Sequence, residues 1–320
     1  MIEKALFFNF FQKKLTFLLH TIYTLLGRNQ KISILLYASR RGGSTLLAQS
    51  IAAKRSISII DQPFDLWKPD TERGKIITSH IPAKAMSQFF ELSPVEKSQV
   101  NHYLNSIYQR KLNQLADRPN SSQFVLKIVN AHGLIDELSD MVPSRSVALI
   151  RHPCAQASSV VRNKWGTCEE PFLYSTDWAK KYLSPAQLAF GLKISKEGSY
   201  FSKAVLNWCL EWQYPLKYAA SEYYLIRYED LIISPEPTIK KLFNFLHLNH
   251  VEEAISVLKK PSNSSSFSTE ATLEDIEKGT KENLLSNWRK YLSDEAIIEA
   301  QQILDIFEIE LYHTKHNLPQ

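Results

Sequence analysis

Two arginines, two glycines and two hydroxyl side chains stand together in the stretch "ASRRGGSTLLAQS" at residues 38–50. The apolar run "KISILLYA" at 31–38 precedes the glycines and a segment with helical spacing follows them, which predicts a strand-to-helix turn. Backbone N–H groups at a helix N-terminus bind anions, and glycines let that backbone approach a phosphate closely. Ser44 and Thr45 add hydroxyl donors, and Arg41 adds a charged, forked donor. The stretch therefore predicts a phosphate-binding loop.

The predicted loop differs from a Walker A motif, because no Gly-Lys-Ser/Thr sequence closes it. In that motif the lysine and the hydroxyl serve the β- and γ-phosphates and their magnesium ion. A loop without them fits a nucleotide that has no polyphosphate chain. An ordinary glycine-rich turn with solvated arginines is the alternative interpretation of this motif taken alone.

Arginines and an aromatic residue also stand at the ends of two later apolar runs. The run "RSVALIRHP" at 145–153 includes Arg151, and Ser159 follows in the segment "CAQASSVVRNKW", which predicts a helix. The run "EYYLIRYEDLI" at 222–232 includes Tyr228. In a parallel sheet, ligands bind beyond the carboxyl ends of the strands, so these residues bear on the same ligand as the loop.

The elements that must position these residues alternate between strand and helix along the chain. Five strands are predicted, in the segments 31–38, 56–61, 123–129, 145–153 and 222–232. Helical segments separate them, and such alternation implies parallel pairing and right-handed crossovers in an open α/β sheet. We expect one domain over residues 31–320 and a separate helical segment over residues 1–30.

Composition limits the classes of function. The 320 residues are 44% hydrophobic and 22% charged, which is typical of a globular protein. The 38 basic and 33 acidic residues give a net charge of +5 without blocks of like charge, which favours an anionic ligand over a nucleic acid. The three cysteines, Cys154, Cys168 and Cys209, form no CxxC pair, so neither a disulfide framework nor a zinc site is expected.

The N-terminal segment "ALFFNFFQKKLTFLLHTIYTLLG" is apolar but contains Lys13 and Lys14. Its uncharged stretches are shorter than the roughly 18 residues of a membrane-spanning helix. The spacing of its apolar residues predicts an amphipathic helix that packs on its own domain, with a peripheral membrane contact or a partner contact as the alternative. Lysines inside the apolar region disfavour a signal peptide, and we therefore expect a cytoplasmic protein.

In this order, "RRGGSTLL", "LIRHPCAQASSVVR" and "YLIRYEDLI" resemble the sulfotransferase superfamily that uses 3'-phosphoadenosine 5'-phosphosulfate, PAPS. The likeness covers most of residues 32–247, and "NWRKYLSDE" at 287–295 resembles the family's late tryptophan-containing segment. It implies a three-layer α/β/α fold with a central parallel sheet and a P-loop-like phosphosulfate-binding loop. It also implies an enzyme that transfers a sulfonate from PAPS to a hydroxyl or amine of a carbohydrate, lipid or small-molecule acceptor. The second product is 3',5'-adenosine diphosphate, PAP, and no metal is implied.

The resemblance assigns the residues that bind PAPS. The loop residues hold the 5'-phosphosulfate; they are Arg41, Gly42, Gly43, Ser44, Thr45 and Leu46. Arg151 and Ser159 match the pair that holds the 3'-phosphate, and Tyr228 matches an aromatic residue near the adenine. Many relatives have a hydroxyl residue where this chain has Gly42. The basic-Gly element that closes over the 3'-phosphate in the family corresponds only loosely to Lys278 and Gly279.

The chemistry of sulfonate transfer resembles that of phosphoryl transfer, because negative charge builds on the oxygen of the leaving diphosphate. We expect Arg41 to stabilise that charge together with Lys127, which matches a strand lysine near the sulfonate in relatives. The acceptor needs a general base. Asp61, in "IIDQPFDLW", stands nearest to the glutamate that some relatives place after the second strand. Asp65 and His132 remain alternatives.

Two other functions stay open at this point: a P-loop kinase-like phosphotransferase and a nucleotide-binding module without turnover. The acceptor cleft is expected to draw on the aromatics of "QPFDLW" and of residues 165–200, although core packing is the alternative for about half of them.

Overall fold

A five-stranded parallel sheet forms the centre of the computed structural model, which describes residues 32–262, 274–275 and 278–319. The strands are β1 (Ser33–Tyr37), β2 (Ile57–Asp61), β3 (Gln123–Ile128), β4 (Ser144–Ile150) and β5 (Tyr224–Arg227). Their order in the sheet is β2-β3-β1-β4-β5, and every pairing is parallel. This arrangement confirms the predicted α/β class with a central parallel sheet. The N-terminal helical segment predicted for residues 1–30 lies outside the described residues.

Fourteen α-helices lie wholly within the described residues. They are α1 (Ser44–Ile51), α2 (Glu72–Thr78), α3 (Pro94–Tyr108), α4 (Ile135–Met141), α5 (Pro153–Arg162), α6 (Glu170–Tyr174), α7 (Thr176–Tyr182), α8 (Pro185–Glu197), α9 (Tyr200–Tyr218), α10 (Tyr228–Ile233), α11 (Pro235–Leu246), α12 (Val251–Leu258), α13 (Lys281–Ser286) and α14 (Asp294–Ile306). The segment "NWRKY" forms a short 3-10 helix at Asn287–Tyr291. No helix in these ranges is long and apolar enough to cross a membrane.

The two faces of the sheet bury separate hydrophobic cores. Side chains alternate along a strand, so Leu35 and Tyr37 of β1 join one core and Ile34 and Leu36 join the other. The first core contains residues of α3, α4, α5, α9 and α14. The second contains residues of α1, α11 and α12. Helices cover both faces, which confirms the three-layer α/β/α architecture.

Two strands end earlier than the apolar runs predict. β4 ends at Ile150, because Pro153 begins α5 and His152 caps that helix through its ring nitrogen. β5 ends at Arg227, and Tyr228 begins α10 rather than continuing the strand. Both differences have the same consequence, since they move Arg151 and Tyr228 off the strands and onto the edge where a ligand binds.

Candidate active site

The loop after β1 leaves the N-terminus of α1 open. Gly43 caps α1 with φ of 94°, a conformation that other residues rarely adopt, and no side chain accepts a hydrogen bond from the first turn. A Cβ atom on Gly43 would lie 2.5 Å from Cδ2 of Tyr228, so the glycine is also required by the close approach of that ring. The first N–H groups of α1 therefore have neither an internal partner nor a side-chain cap.

Tyr228 forms one wall beside this helix terminus. The guanidinium carbon of Arg151 lies 4.3 Å from the centroid of its ring, a cation–π contact. The buried carboxylate of Glu229, the residue after Tyr228, stabilises this wall. It accepts the N–H of His152, the residue after Arg151, at 2.9 Å, and the hydroxyl of Tyr312 at 2.9 Å. Burial raises the pKa of Glu229. The ends of β4 and β5 are thus held together directly behind Arg151 and Tyr228.

Three arginines converge beside the loop. Arg41 donates from Nε to Oγ of Ser159 at 2.9 Å, and Arg151 donates to the backbone carbonyl of Arg41 at 3.0 Å. Burial, together with repulsion from Arg151 and Arg162, lowers the pKa of Arg41 to about 10. Arg41 remains charged at neutral pH, and an anion placed beside it would relieve the repulsion from its two neighbours.

Lys127 links the loop to the candidate base. Its ammonium donates to Oγ1 of Thr45 at 3.2 Å and forms an ion pair with the carboxylate of Asp61. The pairing register of β2 and β3 sets Asp61 directly opposite Lys127, so the contact follows from the sheet itself. Lys127 is 6% exposed, whereas the side chain of Asp61 is 53% exposed. The carboxylate therefore faces solvent at the point where an acceptor would enter.

One cleft of about 1400 Å³ connects these groups. Every residue predicted for the site lines this cleft except Gly42. Gly42 is buried, and a Cβ atom added to it would lie 2.8 Å from the carbonyl oxygen of Ser39. Lys278 and Gly279 also line it. Eleven basic residues and three acidic residues of the described chain form the walls. The basic residues are Arg40, Arg41, Lys68, Arg73, Lys127, Arg151, Arg162, Lys259, Lys260, Lys278 and Lys281, and the acidic ones are Asp61, Asp65 and Asp117.

The structure separates the three candidate bases. Asp61 and Asp65 line the cleft, and Asp65 accepts the backbone N–H of Trp67 at 2.9 Å. His132 is only 2% exposed and packs edge-on against Trp212 in the core, with ring centroids 4.8 Å apart. Burial lowers the pKa of His132 to about 3. This placement argues against His132 as the general base.

Sequence reasoning missed two residues beside Arg41. Arg162 lines the cleft one turn of α5 after Ser159, and that spacing of three residues on a helix was an available signal. Trp165 stacks on Arg41, whose guanidinium carbon lies 5.3 Å from the ring centroid. Most aromatics of the 165–200 segment instead pack in the core, as Phe172 and Trp178 do. In "QPFDLW", Trp67 lines the cleft and Phe64 is buried.

The cysteines lie outside the chemistry described so far. Cys154, Cys168 and Cys209 are buried free thiols. Within the described ranges, no three His, Cys, Asp or Glu side chains come together as ligands for a metal ion.

The chain is similar to several solved sulfotransferase structures. A sulfotransferase domain from the curacin biosynthetic pathway is 16% identical, with 89% of this chain and 100% of that chain covered and a TM-score of 0.47. A sulfotransferase domain from the Synechococcus PCC 7002 olefin synthase is 15% identical, with 89% and 97% covered and a TM-score of 0.45. A mouse sulfotransferase complexed with PAP is 14% identical, with 88% and 85% covered and a TM-score of 0.41.

No curated protein sequence matches the chain at a significant level. Comparison with protein families gives a match to the sulfotransferase family over residues 34–253. That range runs from β1 to the start of α12 and takes in the loop, all five strands and the arginine cluster. A match over more than half of the chain identifies the family, and the chain belongs to the sulfotransferase family.

Proposed function

We propose that this sulfotransferase uses PAPS as the donor and transfers its sulfonate to a hydroxyl or amine of a carbohydrate, lipid or small-molecule acceptor, releasing PAP. The observation that carries the proposal is the arginine cluster around the open N-terminus of α1. Arg151 and Arg162 both repel the guanidinium of Arg41 there. A ligand with more than one anionic group would relieve that repulsion.

Different residues of the site suit the different groups of the donor. The N–H groups that follow Gly43 and the hydroxyls of Ser44 and Thr45 suit a 5'-phosphosulfate. Arg151 and Ser159 are close enough to Arg41 to share a second phosphate group, the 3'-phosphate. The ring of Tyr228 offers a flat face to the nucleoside. Magnesium-dependent binding of a polyphosphate has less support, since no lysine closes the loop.

The transfer step follows from the positions of three side chains. The acceptor oxygen attacks sulfur, so a new S–O bond forms while the S–O bond to the 5'-phosphate breaks and its electron pair goes to the phosphate oxygen. Arg41 and Lys127 stabilise the charge on that oxygen, because both lie at the loop. The proton of the acceptor goes to Asp61, the exposed carboxylate beside Lys127.

The first experiment is calorimetric titration with PAP, 5'-AMP and ATP in the absence of magnesium. We expect PAP to bind most tightly, because only PAP carries a 3'-phosphate. Arg151→Ala should weaken PAP binding at least tenfold. Arg55→Ala, which removes an exposed arginine away from the cleft, is the matched control and should bind PAP as the parent does. Binding of ATP as tight as that of PAP would overturn the proposal and favour a kinase-like enzyme.

A further inference from the structure

The strand order divides the cleft into two ends. The nucleotide end comprises the residues that follow β1, β4 and β5, and the outer end comprises those that follow β2, residues 62–73. At about 4.8 Å per strand, β2 lies about 10 Å from β1 and about 19 Å from β5. The outer end is therefore beyond the groups assigned to the donor, yet it adjoins Asp61, and an acceptor must occupy it if the proposed function holds.

An indole forms one wall of the outer end. Trp67 is 55% exposed and lines the cleft. Its position is fixed by the turn that leaves β2, because the N–H of Gln62 donates to the carbonyl of Lys127 at 2.8 Å and the N–H of Trp67 donates to Asp65 at 2.9 Å. Because its backbone is positioned in this way, Trp67 presents an exposed, flat apolar face on which a sugar or aryl ring can stack.

Two cations accompany this indole. Arg73 donates from Nη1 to the carbonyl of Leu115 at 3.0 Å, and the next residue, Ala116, pairs with Ile60, the neighbour of Asp61. Nη2 of Arg73 is buried and has no hydrogen-bond partner among the described residues. Lys68 is exposed and lines the same end. Arg73 and Lys68 both line the cleft and form no ion pair with the carboxylates that line it in the described structure, so a ligand anion bound beside them would be stabilised.

The carboxylates nearby are already engaged. Asp61 pairs with Lys127, and Asp65 accepts from the backbone of Trp67. Asp117 accepts the N–H of Ile59 at 2.8 Å and the hydroxyl of Ser58 at 2.5 Å along the outer edge of β2. None of these acids is paired with Lys68 or Arg73 in the described structure, so neither cation is already neutralised by a carboxylate that lines the cleft.

We propose that the acceptor is an anion: a molecule whose ring lies on Trp67 and whose carboxylate or other negative group lies by Lys68 and Arg73. This inference rests on the proposed function and specifies the substrate class for the same site. The reacting hydroxyl then faces Asp61, which pairs with Lys127 across the sheet and precedes Trp67 by six residues in the chain. A uronic acid glycoside and an aryl acid with a free hydroxyl share this chemistry.

The test compares acceptors that differ only in charge. One arm uses 4-nitrophenyl β-D-glucuronide and its neutral glucuronamide, and the other uses 4-hydroxybenzoate and 4-hydroxybenzamide. Transfer of labelled sulfonate from PAPS gives kcat/KM for each, and calorimetry with PAP present gives binding. We expect the acid to exceed its amide by at least about tenfold in one arm, with the advantage shrinking as salt is added.

The double substitution Lys68→Gln and Arg73→Gln should reduce this preference to less than about threefold, chiefly by lowering kcat/KM for the acid. Glutamine keeps a donor for the carbonyl of Leu115. Lys180→Gln, which removes an exposed cation of α7, is the control and should leave the preference unchanged. Equal use of acid and amide, a preference that survives the double substitution, or no binding by either acid would each overturn the inference. The PAP titration is independent of all three results and decides the proposed function separately.

Discussion

The nucleotide end and the outer end of the cleft are built in different ways. At the nucleotide end, contacts between strand ends fix the side chains: Arg151 reaches the carbonyl of Arg41, and Tyr228 packs against Gly43. At the outer end, a single irregular segment after β2 supplies most of the groups, and Asp61 is half exposed. The nucleotide end is thus fixed by contacts between distant segments, whereas the outer end depends on one local segment. If the proposals above hold, that local segment is the part that selects the acceptor.

Arg41→Ala should have the largest effect, since we propose that Arg41 both binds the donor and stabilises the leaving group. We expect kcat/KM for sulfonate transfer to fall by about 10³-fold. The fold should survive, because the substitution also removes repulsion from Arg151 and Arg162. Labelled transfer and thermal unfolding measure the two effects. Arg41→Lys is the matched control and should recover part of the rate, and full activity of Arg41→Ala would contradict the assignment.

Asp61→Asn should slow sulfonate transfer much more than it weakens donor binding. Loss of the proposed base is expected to lower kcat by about 10²-fold, while the affinity for PAP measured by calorimetry changes little. Asp65→Asn is the control, because Asp65 lines the same cleft but accepts only a backbone N–H in the described structure. A larger loss in Asp65→Asn than in Asp61→Asn would transfer the role of base to Asp65.

Gly43→Ala should weaken PAP binding at the nucleotide end and leave the outer end of the cleft unchanged. The φ of 94° costs an alanine roughly 1–2 kcal/mol, and its Cβ would lie 2.5 Å from the ring of Tyr228. We expect PAP affinity to fall by about tenfold. Repeating the substitution in a Tyr228→Ala background removes the clash and leaves the backbone cost. Identical losses in the two backgrounds would show that the ring plays no part.

His132→Leu should leave both ends nearly unchanged and alter stability in acid. The buried ring has a pKa lowered to about 3 and an ordinary value near 6.5, so the unfolded chain binds the extra proton between these values. Stability from this group is thus present above pH 6.5 and is lost as pH falls toward 3. We expect the free energy of unfolding of the variant, measured with urea, to fall less than that of the parent protein as the pH is lowered from 6.5 toward 3. If the variant instead lost the fall in sulfonate-transfer rate that the parent protein shows at acid pH, His132 would be the general base.

The two ends also differ in how far the sequence predicts them. The apolar run, the paired glycines and the arginines predicted the loop and the strand before it, because short-range patterns decide both. The bounds of β4 and β5 were too long, since Pro153 and Tyr228 begin helices that an apolar run does not reveal. The PAPS donor and the roles of the site residues stay predictions that the experiments above address.

The outer end had weaker signals. The aromatics of "QPFDLW" were expected at the acceptor cleft, but Arg73 lies in the first turn of α2, and only the folded chain shows that it lines the same cleft as Trp67 and Asp61. The environment of His132 was equally hidden, because the burial of its ring depends on Trp212, which comes from a helix far along the chain. Long-range packing decided both cases.

The buried carboxylate of Glu229 has a consequence for the C-terminal part of the chain. It accepts from Tyr312 with one oxygen and from the residue after Arg151 with the other, so the docking of the last residues and the donor site share one hydrogen-bonded group. Linkage then makes the effect reciprocal: whatever orders one side strengthens the other. We expect PAP to slow proteolytic trimming of the segment around Tyr312, and a chain trimmed there to bind PAP more weakly.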